Sequence, residues 1–305
     1  MRILKAVGGL ALLALGAAVP AAAQVTVGAD AYLNSQYVWR GLTFTNKPVI
    51  QPDVWLSAYG FTVGAWANVE VSKCDGDNDY CESGYGSNLS GGPAVAPRSG
   101  IAEIDLWAEY ARTTGNVSWK LGWILYTFNK DNGNFTNFYD TNEGYGQLSL
   151  GGLAVTPTLY ASYDLDNVKG LYVQPSLSYG VKASPTLTIN LGVLAGISMG
   201  QEVDTSGQGR LGTLGNFFEK GLTHVDFSAS TSFTAGPVSF TPNIHFQVSK
   251  DLFVRNNNAQ EWADLLSSPA TCVQGSTSTC LKGSSTKIFG GVTLSWSRAL
   301  GGSSE

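Results

Sequence analysis

Few residues in this chain could do chemistry, and they fall into three groups. The first is its two histidines, His224 and His245, with Asp226 beside one of them. Imidazoles with a carboxylate can hold a divalent transition metal, and an imidazole alone can titrate near neutral pH. Polar side chains in simple contact account for the same pattern, so no metal is assigned. The second group is four cysteines in two close pairs, Cys74/Cys81 and Cys272/Cys280, each within a Gly/Ser-rich stretch. Local disulfides are the natural reading in an exported chain. The pairs lie far apart with no histidine beside them, which argues against zinc. Asp75, Asp77 and Asp79 echo the opening of a calcium loop, but Tyr80 stands where the sharp-turn glycine belongs and no glutamate closes the loop. A stapled, solvated turn is the plainer account. The third group is Arg40, Gln51, Asp53, Asn68, Glu70, Glu103 and Asp105, interleaved with Trp55, Trp66 and Trp107. That combination suits charge selection and stacking. No serine stands out as a partner for either histidine, so no catalytic residue is assigned and no enzyme is expected. No cofactor is expected either.

What gives these groups meaning is the set of elements that must position them. Twelve segments alternate apolar and polar residues with the period of a half-buried strand. The first starts at Val25, with Val27, Ala29, Ala31 and Leu33 on one face and Thr26, Gly28, Asp30, Tyr32 and Asn34 on the other. The rest cover roughly 48–59, 61–72, 101–112, 116–128, 144–152, 155–165, 169–182, 185–198, 222–233, 237–249 and 286–298. Each is near or above the roughly 9–11 residues that a tilted strand needs to cross a membrane. Short turns fall near 59–60, 113–115, 153–154, 183–184 and 234–236, and long gaps at 39–47, 73–100, 129–143, 199–221 and 250–285. Only the gap near 166–168 breaks the rhythm. The pattern predicts an all-β fold: a membrane-spanning, antiparallel, up-and-down barrel of about 12 strands, with short periplasmic turns and long extracellular loops. Pro52, Pro157, Pro175 and Pro242 lie inside strands, where bulges are expected. A soluble sandwich would need a polar outer face, and the outward positions are apolar in strand after strand.

Export fits the same picture. Arg2 and Lys5 precede an apolar stretch from Ala6 to Ala18, then Pro20 and Ala21-Ala22-Ala23. Residues 1–23 therefore read as a cleaved secretory signal peptide, and residues 24–305 as one barrel domain. Charged residues make up 13% of the chain, against roughly 25% in ordinary soluble domains. A net charge of −5 gives no footprint for nucleic acid.

Strand direction then sorts the charges by height. Arg40 is expected at the outer end of the first strand, facing Gln51, Asp53, Glu70, Glu103 and Asp105 near the extracellular mouth. Trp55, Trp66 and Trp107 follow one layer deeper, with Trp55 and Trp66 expected as cross-strand partners. A two-residue turn at Thr234-Ala235 would set His224 opposite His245, and a slip of two would pair His245 with Asp226. Loops 199–221 and 250–285 are long enough to fold inward, with Phe217-Phe218 and Trp262, Leu265 and Leu266 as apolar anchors.

Several of these stretches resemble the TorF porin family. They are Tyr37-Val38-Trp39-Arg40-Gly41, Lys47-Pro48-Val49-Ile50-Gln51-Pro52, Gly64-Ala65-Trp66-Ala67-Asn68-Val69-Glu70 and Glu103-Ile104-Asp105-Leu106-Trp107-Ala108-Glu109-Tyr110. The resemblance covers about residues 25–128 and implies a porin-type barrel in the bacterial outer membrane. The expectation is a passive channel for small hydrophilic solutes with an acidic, cation-favouring outer constriction. The alternative is a plugged structural or adhesive barrel that acts through disulfide-stapled loops. Expected partners are outer-membrane lipid, the permeating solutes, and periplasmic chaperones with the barrel-assembly machinery during biogenesis. Monomer and homo-oligomer both stay open.

Overall fold

The structure, a computed structural model, describes residues 25–45, 47–72, 100–128, 140–166, 168–201, 217, 220–254 and 281–300. The strands are β1 (Val25–Asn34), β2 (Tyr37–Trp39), β3 (Leu42–Thr45), β4 (Val49–Ala58), β5 (Phe61–Glu70), β6 (Gly100–Thr114), β7 (Val117–Phe128) and β8 (Thr141–Leu150). They continue as β9 (Thr156–Asp164), β10 (Leu171–Ser184), β11 (Leu187–Met199), β12 (Gly221–Thr231), β13 (Phe233–Ala235), β14 (Val238–Val254) and β15 (Leu281–Leu300). The expected cysteine staples at Cys74, Cys81, Cys272 and Cys280 lie outside the described residues, as do the aspartate-rich turn, the signal segment and the anchors Phe218, Trp262, Leu265 and Leu266.

Every wall strand pairs antiparallel with both neighbours, and the ring closes where β15 meets β1, with Val25 opposite Leu300. β13 prolongs β12 along β14, so twelve strands form a closed barrel. Closure leaves no open edge, which satisfies the backbone within hydrocarbon. Among the described residues, β2 and β3 form a separate two-stranded sheet.

The burial pattern is inverted relative to a soluble domain. Leu33, Val54, Leu56, Val63, Leu106, Leu121, Leu159, Phe227, Ile244 and Ile288 are exposed on the outer face. Gln51, Asn68, Glu70, Glu103, Asp105, Glu143, Asp164 and Gln247 are buried inside. Such a surface is stable only where hydrocarbon covers it, so this is a membrane-spanning barrel. At the rim with short turns, Phe61, Tyr110 and Trp119 form an outward aromatic cluster with centroids 4.5 and 5.7 Å apart. Trp296 is also outward there, as an interfacial girdle requires.

Boundaries differ from the sequence reading in places. The turn after β12 and β13 falls at Gly236-Pro237, because Ala235 pairs with Val238. Bulges do not sit at the prolines: Pro52, Pro157, Pro175 and Pro242 hold regular register opposite Ala31, Leu177, Leu159 and Val292. Irregularities fall instead at Asn68/Val69 and Gly196/Ile197. There the unpaired Ala102 and Thr223 turn inward beside Glu103 and His224, and all four are buried.

The one short gap among the outer loops is built around Asp164. Its Oδ1 accepts the backbone N–H groups of Asp166, Val168 and Lys169 at 3.0, 2.9 and 3.1 Å, and Oδ2 accepts from Thr141 Oγ1 at 2.7 Å. Asp164→Ala removes the buried carboxylate that three backbone N–H groups and the Thr141 hydroxyl share. It is expected to cost about 1–3 kcal/mol, read as a lower midpoint for urea unfolding from vesicles.

Candidate functional site

The gap at 39–47, read from sequence as an outer loop, is a hairpin folded into the barrel. β2 and β3 join through Arg40-Gly41, with Trp39 opposite Leu42. Arg40 (φ 48°) and Gly41 (φ 87°) are both left-handed, the geometry of a tight two-residue turn between twisted strands. A Cβ at position 41 would also press on the His224 ring, so glycine is required there twice over.

Arg40 is therefore not at the end of β1, which stops at Asn34. It sits at the hairpin tip and crosses to β8. Its Nη1 and Nη2 donate to Glu143 Oε1 and Oε2 at 2.7 and 2.5 Å, a two-pronged fork. Nη2 also donates to Ser162 Oγ at 2.8 Å and Nη1 to Gln201 Oε1 at 3.3 Å. The guanidinium lies between the Trp39 and Tyr172 rings, 4.2 and 4.4 Å from their centroids.

Three other walls hold the same hairpin. The Gly41 carbonyl accepts from Gln247 Nε2 at 3.2 Å, Ser249 Oγ at 3.2 Å and Lys287 Nζ at 2.8 Å, on β14 and β15. Thr45 Oγ1 donates to Glu70 Oε1 on β5 at 2.8 Å. Leu42 packs with Tyr172 and Phe217 in a small apolar core flanked by Trp39, Phe44 and Tyr160. Phe217 thus anchors inward, as its loop length allowed.

The remaining sequence candidates line β4, β5 and β6. Gln51 bridges Asn34 and Asn68 at 2.9 and 3.1 Å. Glu70, Glu103 and Asp105 are buried inside the same wall. Trp55 does not oppose Trp66: the Tyr59-Gly60 turn pairs Trp55 with Gly64 and Asp53 with Trp66. A two-residue turn sets positions whose numbers sum to a fixed value, and the expected pairing missed it by two. Trp55 Nε1 donates to Asp30 Oδ2 at 2.9 Å, and Trp107 Nε1 to Asp53 Oδ1 at 3.3 Å.

His224 and His245 do not oppose each other either. The turn lies two residues later than expected, so His224 faces Ser249 and His245 faces Ser228. His245 Nδ1 lies 2.9 Å from Asp226 Oδ1, and its ring stacks on Phe289 at 4.8 Å. His224 is buried with Thr223 Oγ1 at 3.0 Å. Among the described residues, no three His, Cys, Asp or Glu side chains group closely enough to hold a metal ion.

Sequence reading missed Glu143, Ser162, Gln201 and Gln247. Glu143 falls in the expected loop 129–143 because the sequence pattern starts that strand at 144, three residues after β8 begins at Thr141. The hairpin had a usable signal: Tyr37 to Thr45 is rich in β-prone residues with Arg-Gly at its centre.

Fold and interior together define a membrane-spanning β-barrel with an internal hairpin across its lumen. The chain belongs to the Gcw_chp family, described as bacterial proteins of unknown function, whose model matches residues 18–251. A comparison with curated proteins finds no match. Among solved structures, the chain is similar to the COG4313 outer membrane channel from Pseudomonas putida F1, at 10% identity and a TM-score of 0.48, covering 93% of this chain and 98% of that one. Pseudomonas putida OprB shares 10% identity at a TM-score of 0.35, with 91% and 94% covered. An anion-selective porin from Comamonas acidovorans shares 8% at 0.30, with 92% and 99% covered.

Proposed function

We propose that the protein is a porin-like channel of the bacterial outer membrane, passing small hydrophilic solutes by diffusion. The observation that carries this reading is the inversion of the barrel, with an apolar outer belt around an interior of buried carboxylates and amides. A polar interior inside a lipid-facing wall is the construction of a passage for hydrophilic solutes. Hairpin 37–45 narrows the lumen, and the charge of Arg40 is consumed by Glu143. Asp30 and Asp53 stand opposite each other on β1 and β4, with Glu70, Glu103 and Asp105 on the neighbouring β5 and β6, and such a concentration of carboxylates favours cations. The resemblance of residues 25–128 to the TorF porins points the same way.

One observation favours a second reading, a plugged structural or adhesive barrel. The hairpin is tied to the wall at several points and shares a small apolar core with Tyr172 and Phe217. Liposome swelling separates the two. Vesicles carrying the refolded protein are expected to swell in small neutral sugars and to slow as the sugar lengthens. Folded protein that admits no sugar of any size would support the plug.

A further inference from the structure

Three inward aromatic rings share one construction. Trp55 on β4, Trp107 on β6 and Tyr145 on β8 each lie over an inward glycine of the neighbouring strand: Gly28, Gly64 and Gly122. A Cβ at any of these glycines would collide with the ring carbons. The rings therefore lie flat over bare backbone instead of standing off the wall. Each then donates its polar hydrogen to a carboxylate beyond the glycine: Trp55 to Asp30 at 2.9 Å, Trp107 to Asp53 at 3.3 Å, and Tyr145 to Glu109 at 3.0 Å. One edge of each ring is fixed and all three rings stay partly accessible, although Tyr145 already has Lys120 Nζ 5.9 Å from its centroid and Tyr160 beside it. Asp30 and Asp53 stand directly opposite each other across β1 and β4. Among the described residues neither meets a cation, whereas Glu109 is paired with Lys120 at 3.0 Å.

Filling the lumen would need only bulk. A repeat of ring, bare glycine and carboxylate instead keeps a clean aromatic face beside a negative charge. The face of an aromatic ring is the negative pole of its quadrupole, so ring and carboxylate attract the same solute: positive charge on an apolar or planar body. A hydrated inorganic cation gains from the carboxylates and little from the rings. We infer that this wall is a track for organic cations bearing ammonium or guanidinium groups, with Trp55 and Trp107 distinguishing them from inorganic cations. The inference rests on the channel reading above and names its solute class.

The test is the bi-ionic potential of the refolded protein in a planar bilayer, with guanidinium chloride on one side and sodium chloride on the other. The guanidinium-to-sodium permeability ratio is expected to exceed the ratio of their free mobilities by about threefold. Trp55→Leu with Trp107→Leu should return it to the mobility ratio, and Trp55→Phe with Trp107→Phe should keep it raised. In both variants the potassium-to-chloride preference should stay within about twofold, because the carboxylates remain. A wild-type ratio equal to the mobility ratio overturns the inference and leaves the channel reading standing. A folded, conducting leucine variant with an unchanged ratio does the same. If that variant does not fold, the wild-type ratio decides alone. An inserted barrel that carries no current overturns both readings.

Discussion

Arg40→Met is expected to release the hairpin tip and raise unitary conductance about twofold or more, while lowering stability by about 3–5 kcal/mol. The stability loss arises because Glu143, at 2% side-chain exposure, loses the fork that compensates its charge. Methionine keeps much of the arginine stem's volume, so packing against Trp39 and Tyr172 changes least. Adding Glu143→Gln removes the stranded charge, and most of the stability should return. Conductance should stay raised, because the tip is still untied. This split between the two readouts is the signature of a tether. If conductance in Arg40→Met equals that of the wild type, the hairpin does not set the constriction. Denaturant titration of the wild type, Arg40→Met, Glu143→Gln and the double variant in vesicles completes the cycle and gives the coupling between the two side chains.

The second large effect concerns charge selection. Glu70→Gln, Glu103→Gln and Asp105→Asn together keep side-chain shape while removing three carboxylates from one wall. The potassium-to-chloride permeability ratio is expected to fall about fivefold or more, with conductance changing less. The three are buried neighbours on β5 and β6, so they are coupled, and the triple variant should differ from the sum of the single ones. Thr45 donates to Glu70, and a glutamine there still accepts that bond. A conducting triple variant with unchanged selectivity would move the filter away from this wall.

Most of the barrel was legible because lipid imposes a rule that one strand reveals by itself. In β5, Phe61 and Val63 face out while Thr62, Gly64 and Trp66 face in, and period two is enough to read it. Inward assignment of Gln51, Asn68, Glu70, Glu103 and Asp105 followed from parity alone. Register was harder. Pairing depends on where a turn falls, and partner errors of two and four residues separated Trp66 from Asp53 and His224 from Ser249. The hairpin was hidden for another reason. Its stability comes from partners more than a hundred positions away, such as Glu143 for Arg40 and Gln247 for Gly41. Nothing local announces such partners, because they exist only once the barrel closes. The bulges that turn Ala102 and Thr223 inward belong to the same class of feature, set by the neighbouring strand.

The most direct test of the central claim is the reversal potential of the refolded full chain in a planar bilayer under a potassium chloride gradient. The account predicts discrete conductance steps and a reversal potential shifted toward the potassium equilibrium value. A folded, inserted barrel that stays silent, or one that reverses toward the chloride value, would contradict it.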